Sequence, residues 1–518
     1  MNIAKRAVQI AKIGMAARKL RNSSAGVDKQ LARQALANLF ADARGGVMKI
    51  GQLMAGQDDE NPFADLASGI DPLALAEVTA AIEDSLGQPL DAVFAEFDES
   101  EAAASLGQVH HARLKDGPEV AVKVQYPGIA DAVAAELTLA GLMPGVGPVK
   151  KWGFDLAGYK AALKGNMDRE LDYRNEANRQ IQFRERVAVT GLVVPAVHET
   201  LTSERLLVQD WHMGVRLADV GYWTQKDRTE VGRILLATLF KSLFDVGEVH
   251  GDPHPGNAYY LKSPTADPIV VLMDFGCTAP VREAQRMSLL KLILSLRDGK
   301  NDMALRAFAG MGFDPVKLSA IAESMPQLAE ILMEPFLANR PFTISEWRLK
   351  DRFEALMGES RWWFRAAGAP ADILLLRAFQ GVAQQLDQLG AALDWWAVLV
   401  DAVSPDTIAR AQGYSLPSLP PGVSEGAVPA PSASAEPMAE NLRVQVHEGA
   451  RQIVAITMPA KAALNLMDLV PDDVLEQIKK SKEIDLDAIL KRLRTRGLHP
   501  QDILDFEKPP KRYRIWLE

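Results

Sequence analysis

The chain has 518 residues, of which 48% are hydrophobic and 24% charged, and it carries a net charge of −9. That length exceeds one compact core and predicts roughly two to four domains, while the acidic balance excludes a general nucleic-acid binder. A single cysteine, Cys277, rules out an intrachain disulfide and suits a reducing compartment; its position directly after a DFG triplet reads as a small packing residue.

Residues 1–57 carry apolar side chains at helical spacing (Val8, Ala11, Met15, then Leu31, Ala35, Leu39). The opening is basic, with Lys5, Arg6, Lys12, Arg18, Lys19 and Arg21 before any acid. It has no continuous apolar core and no cleavage-like site, so no secretory leader is expected. No run in the chain approaches the ~18 apolar residues of a membrane span. The basic face reads either as a contact for an anionic membrane surface or as a solvated face packed on the domain. Further on, GGVMKIGQLMAG sets Lys49 and Gln52 three apart on one helical face, as polar positions on a packed helix.

Residues 58–100 hold acidic loops and a helix near Leu75–Leu86. The segment AAASLGQVHHARLKDGPEVAVKV reads as strand, loop, strand, turn, strand. A long helix is expected over 155–187, strands at VVPAVHET and LLVQDW, and helices through 227–250 and 281–411. Residues 412–438 are rich in Pro, Ser, Gly and Ala and predict a disordered linker. Pattern returns after it, with LRVQV, IVAITM and YRIWL as strands and MDLVPDDVLEQIKK and DLDAILKRLRTRG as helices. The expected domains are a helical extension (1–100), a small β-containing lobe (101–214), a larger helical lobe (215–411), the linker (412–439) and a small α+β module (440–518).

The chemistry-bearing residues fall inside this frame. In VHGDPHPGN, Asp252 and Asn257 stand five apart, the spacing of HRDLxxxN. Two strand-like runs, AYYLK and PIVVLM, then lead to DFG and Asp274. A hairpin there returns Asp274 to the mouth that holds Asn257. Asp252 suits holding a nucleophile, and Asn257 and Asp274 suit Mg²⁺ bridging the phosphates of a nucleotide. The phosphate-covering pattern GxGxxGxV reads here as Ala102, Ala104, Gly107 and Val109, with Ala103 and Ser105 between. Alanine in place of two glycines is expected to stiffen that loop. Lys123 in AVKV matches the lysine that grips the α- and β-phosphates.

Such a lysine needs a carboxylate, and ELDYRNEA offers three. On one continuous helix Asp172 and Glu176 share a face and Glu170 is turned away, which selects Glu176 as the partner. In LLVQDWHMG the backbone from Gln209 through Asp210 to Met213 is expected to meet the adenine edge. His250 and His254 are read as structural, because Mg²⁺ prefers oxygen ligands.

Taken in order, KIGQ, AAASLGQVH, AVKVQYPG, ELDYRNEA, VHGDPHPGN and DFG resemble the UbiB/AarF-type atypical kinases, a family linked to ubiquinone (coenzyme Q) biosynthesis. The resemblance is close over 30–300 and looser to about 400. It implies an α+β, bilobal protein-kinase-like fold with an N-terminal helical extension, followed here by the linker and the small α+β module. It also implies ATP (or ADP) and Mg²⁺ as cofactors. In the family, the extension with Lys49 and Gln52 folds over the active site, and Glu170 and Asp172 form a motif facing it. An alanine-rich loop goes with altered nucleotide selectivity and suppressed protein phosphorylation. The activity implied is ATP hydrolysis coupled to a lipid or quinone-precursor small molecule.

Two departures stand out. The C-terminal apolar spans of membrane-anchored relatives are replaced by a linker and a polar module. After DFG the chain runs almost straight into a helix, with no segment ending in APE to dock a peptide. The expected compartment is the cytoplasm, with the inner membrane surface as a peripheral contact. An ordinary Ser/Thr protein kinase and a nucleotide-sensing regulatory module remain the alternatives.

Overall fold

The computed structural model describes residues 74–103, 106–130, 153, 155–263, 266–425, 439, 441–449, 451–460, 463, 486, 489–490, 493, 498, 500–508 and 511–518. The expected helix with Lys49 and Gln52, the basic opening, and Ala104 and Ser105 lie outside them. The chain divides into two compact units. The first takes in the described residues up to 130, Asp155–Val281 and Pro370–Leu389; the second takes in residue 153, Arg282–Ala369 and the described residues from Gly390 on. The single helical lobe expected over 215–411 is therefore split at Val281, and one of its later helices belongs with the first unit.

In the first unit, β1 (Phe94–Ala103), β2 (Gly107–Leu114) and β3 (Glu119–Gln125) form an antiparallel sheet. The strand β4 (Leu192–Val193) is short, so the strand expected at VVPAVHET is largely irregular chain. Strand β5 (Leu206–Asp210) closes the first sheet in the order β1-β2-β3-β5. Side chains alternate across a strand. Val120, Val122 and Val124 of β3 therefore point together into a core with Val78 and Ile82 of α1 (Leu75–Leu86). Ala121, Lys123 and Gln125 fall on the opposite face. Alternation thus decides which way the lysine looks.

That opposite face meets a helix pair, α2 (Leu156–Glu170) and α3 (Tyr173–Arg186). The single helix expected over 155–187 is interrupted. Leu171 still has right-handed helical angles, but Asp172 is extended (φ −119°) and caps α3, accepting from Arg174 N at 3.0 Å. Aspartate competes well for such orphan N–H groups, which favours a new start over a continuous helix. Gln125, from the lysine's face of β3, donates to Leu171 O at 2.6 Å and holds the break in place.

The rest of the unit is built on α4 (Gln225–Phe240), extended by a π-helical turn to Val246, and on β6 (Glu248–His250), β7 (Ala258–Ser263), β8 (Ala266–Leu272) and β9 (Thr278–Pro280). Strands β7 and β8 form the expected hairpin, with Ala258 opposite Leu272. Strand β6 pairs with β9. Helix α5 (Ile373–Leu389) packs beside them.

In the second unit, the helices Glu283–Arg297, Ala304–Gly310 and Met325–Leu337 share a core through Leu292, Leu305, Phe308 and Leu328. Leu416, Leu419 and Val423 pack on this core. Glu425 caps the helix Ala304–Gly310, accepting from Leu305 N and Arg306 N, both at 2.9 Å. The disordered linker expected from 412 is therefore ordered as far as 425: its prolines pre-set an extended path and its few apolar side chains have a core to join. Residues 426–438 lie outside the described residues. The C-terminal module is a four-stranded antiparallel sheet, β11-β10-β13-β12, of Asn441–Glu448 (β10), Arg451–Pro459 (β11), Gln501–Lys508 (β12) and Lys511–Leu517 (β13). The sequence pattern did not single out β12.

Candidate active site

Lys123 is the centre of the site. Its Nζ donates to Glu176 Oε1 and Oε2 at 2.8 and 2.9 Å. Glu176 is 2% exposed and Lys123 14%. Asp274 Oδ1 lies 3.7 Å from the same ammonium. The Nζ also sits 4.9 Å from the centre of the Tyr173 ring, a cation–π contact beneath the lysine. Burial opposes the charge on Lys123, but Asp274 and Glu176 outweigh it and hold the ammonium above its ordinary range. Burial pushes the Glu176 carboxyl up to about 7, against the pull of Lys123.

The interrupted helix places the three acids of ELDYRNEA differently from the continuous one. A Cβ on Gly276 would stand 3.3 Å from both Asp274 Oδ1 and Glu176 Oε2, and 3.5 Å from Glu170 Cγ. Glu170, expected to turn away, is thus buried beside the DFG turn, and Asp172 is spent as a cap rather than sharing a helical face with Glu176. Two carboxylates, Glu176 and Asp274, meet one ammonium, and the nearby Glu170 raises the Glu176 carboxyl further. That excess of negative charge favours a further cation.

The loop after β6 carries the second half of the site. Asn257 Nδ2 donates to Asp252 O at 2.9 Å, across the five-residue spacing of the motif. His254 N bonds Asp252 O and Asn257 N bonds His254 O, at 2.7 and 2.8 Å, which closes a compact turn. Met273 N bonds Asn257 O at 2.9 Å, so the amide and Asp274 are neighbours at the base of the hairpin. Asp274 has φ +61°, a left-handed conformation that a non-glycine residue adopts only when its surroundings enforce it. Those surroundings are visible. His250 Nε2 donates to Met273 O and Asp274 O at 3.1 and 2.8 Å, and Phe275 is fully buried against Phe183 and His250. His254 accepts from Gly256 N through Nδ1. Cys277 is buried.

Among the described residues, no group of three or more His, Cys, Asp or Glu is arranged to hold a metal ion. Mg²⁺ does not need one, since it keeps several waters and is commonly held by one or two protein oxygens plus substrate phosphates. Asp274 and the side-chain oxygen of Asn257, whose nitrogen is committed to Asp252, fit that small donor set.

At the covering loop, Ala102 and Ala103 end β1 opposite Val109 and Gln108. A Cβ on Gly107 would fall 2.2 Å from Val124 O, so only glycine fits there. At the hinge, the Asp210 and Trp211 N–H groups are already used, by Ala196 O and Glu119 O at 2.8 and 3.1 Å. The Gln209 side chain bonds Gln180, and that of Asp210 bonds His198. The adenine contacts expected from these residues would fall to the backbone beyond Trp211. Met213 is exposed and lines an open groove of about 500 Å³ with Gly214, Val215, Trp223, Tyr260, Leu261 and Lys262, which includes none of the phosphate-end residues.

Helix α5 supplies contacts that motif spacing did not reveal. Arg377 Nη2 donates to Asp252 Oδ1 at 2.6 Å. Gln385 Nε2 donates to Pro253 O at 2.7 Å while its Oε1 accepts from Tyr260 Oη at 2.7 Å. The available signal was weak: Arg377 and Gln385 share a helical face, but ILLLRAFQGVAQQLDQL also carries Gln380, Gln384, Asp387 and Gln388.

Comparison with known proteins shows what this geometry is similar to. Residues 65–307 match the family described as the ABC1 atypical kinase-like domain. The likeness to this family covers that segment, somewhat under half of the chain. Similar proteins include the mitochondrial atypical kinase coq-8 of Caenorhabditis elegans, 27% identical over 61% of this chain and 43% of that protein. The mitochondrial atypical kinase COQ8B of Rattus norvegicus is 28% identical over 61% of each. An uncharacterised chloroplastic aarF domain-containing protein kinase of Arabidopsis thaliana is 31% identical over 56% of this chain and 42% of its own length. The matches thus span about two-fifths to three-fifths of these relatives. Among solved structures, the complex of Rv3197 with erythromycin from Mycobacterium tuberculosis shares 27% identity over 72% of this chain and 96% of that one, with a TM-score of 0.49. The matched segment, 65–307, is atypical kinase-like and mixes helices with strands, and the match stops before α5. No described helix is long and apolar enough to cross a membrane.

Proposed function

We propose that this chain transfers the γ-phosphoryl group of MgATP to water or to a small-molecule hydroxyl. The observation that carries this reading is the Lys123–Glu176 pair standing together with Asp274 3.7 Å from the same ammonium. A kinase-type centre needs the lysine–glutamate pair and the DFG aspartate on the metal both in place, and this arrangement supports both. Lys123 would grip the α- and β-phosphates, Asp274 and Asn257 would hold the metal, and Asp252 would orient the nucleophile. Mg²⁺, when bound, would neutralise charge on the transferring group. The protein's own share is position and fixed charge, as a loose transition state requires.

The test is an Mg²⁺-dependent ATPase assay, with and without anionic liposomes and phenolic quinone-precursor mimics. Stimulation by either addition would support a role in lipid or quinone metabolism. Asp274→Asn is expected to lower turnover at least ~10²-fold. Full activity in that variant would overturn the assignment. Robust transfer onto Ser or Thr of added proteins would instead favour an ordinary protein kinase. Thermal stabilisation by nucleotide without turnover would favour a nucleotide sensor.

A further inference from the structure

One face of α5 backs the loop that holds Asp252. Leu374, Arg377, Gly381 and Gln385 follow one another at steps of three and four, so they form a single stripe. Each meets the loop. A Cβ on Gly251 would stand 3.2 Å from Leu374 Cβ, and one on Gly381 would stand 2.5 Å from Pro253 Cγ. Gln385 fixes the Pro253 carbonyl, and Arg377 fixes the Asp252 carboxylate. The ion pair is largely enclosed, with Arg377 23% and Asp252 14% exposed. The second terminal nitrogen of Arg377, Nη1, is buried and has no hydrogen-bond partner among the described residues. The guanidinium therefore still offers a donor beside the acid.

We propose, resting on the phosphoryl-transfer reading above, that Arg377 is a positioning residue that sets the carboxylate of Asp252 for the acceptor. In that transfer the acceptor oxygen bonds to the γ-phosphorus. The bond from that phosphorus to the β–γ bridging oxygen breaks, its electron pair leaves on ADP, and the acceptor proton passes to Asp252. A guanidinium held against the acid fixes where the carboxylate points. In a loose transition state the acceptor proton leaves late, so orientation counts for more than proton affinity. A fixed carboxylate serves such a reaction.

The experiment compares wild type, Arg377→Met and Arg377→Lys for MgATP affinity by calorimetry and for MgATP hydrolysis. Affinity is expected to stay within about twofold. In Arg377→Met, kcat is expected to fall about 10²-fold, the cost of a misplaced reacting group. Partial recovery is expected in Arg377→Lys and on adding free guanidinium to Arg377→Met. Unchanged kcat, or affinity lost in step with kcat, overturns the proposal. A double-mutant cycle of Arg377→Met with Asp252→Asn, read by urea unfolding, judges the pair without any need for turnover. Non-additive effects are expected, and strictly additive ones overturn the pairing. Wild type that binds MgATP but never hydrolyses it overturns the phosphoryl-transfer reading instead, and the cycle then decides on Arg377 alone.

Discussion

Lys123 and Glu176 form a buried pair whose members depend on each other. Removing one partner leaves an uncompensated group in the interior, which costs far more than the pair itself contributes. Lys123→Met is expected to destabilise the first unit by about 3 kcal/mol, at the low end of the usual range because Glu176 can take up a proton. Urea unfolding of the variant measures this, and a change within ~0.5 kcal/mol would mean that the pair is not buried. The proton on Glu176 also has a pH signature. Burial lifts this carboxyl from 4.5 to about 7, so between those values the folded chain holds a proton that the unfolded chain has released. Stability contributed by this group is present below pH 4.5 and is lost as pH rises towards 7. Stability curves of wild type should decline across that window more steeply than those of Glu176→Gln, and equal slopes would contradict the assignment. At Gly107 the limit is steric. A methyl group would fall 2.2 Å from the Val124 carbonyl oxygen, so Gly107→Ala should move β2 off β3 and weaken nucleotide binding as well as stability, as calorimetry and thermal melting would show.

At the scale of elements, the break between α2 and α3 shapes the site. It brings the end of α2, with Glu170, beside the DFG turn and starts α3 with Glu176 in its first turn. Asp172→Ala removes the cap and should cost about 1 kcal/mol, seen as a lowered melting temperature. Loss of Gln125, which holds the Leu171 carbonyl from β3, should act in the same direction. The separate motifs were legible in the sequence because each is local: Asp252 to Asn257 within one loop, Asp274 at the foot of one hairpin, Lys123 in one alternating strand. The break was less legible. Its residues have helical spacing, and the competing interaction, an aspartate cap braced by a glutamine on a distant strand, exists only once the sheet has formed. The role of α5 was hidden for a similar reason, since Arg377 and Asp252 lie far apart in the chain and no local pattern joins them. The first part of the linker, to residue 425, was misread through composition alone. Pro-rich chain lacks secondary structure, yet Leu416, Leu419 and Val423 still find a core.

At the scale of the molecule, the first unit is discontinuous. The chain leaves it after Val281 and returns at Pro370, and the returning segment supports Asp252. A fragment cut at residue 307, where the ABC1 match ends, would lack α5 and with it the partners of Asp252 and Pro253. Such a fragment is expected to show weak or absent MgATP binding, and full affinity in it would show that α5 is dispensable.

The detour also sets an order of events during synthesis. Ribosomes deliver roughly 5–20 residues per second. After Val281 has emerged, the loop of Asp252 therefore waits several seconds for the helix that clamps it. Through that interval Gly251, Pro253 and Tyr260 lack their cover, so the nascent polypeptide carries a half-built cleft that chaperones could engage. Nucleotide loading should accordingly be a late step in the life of each newly made molecule.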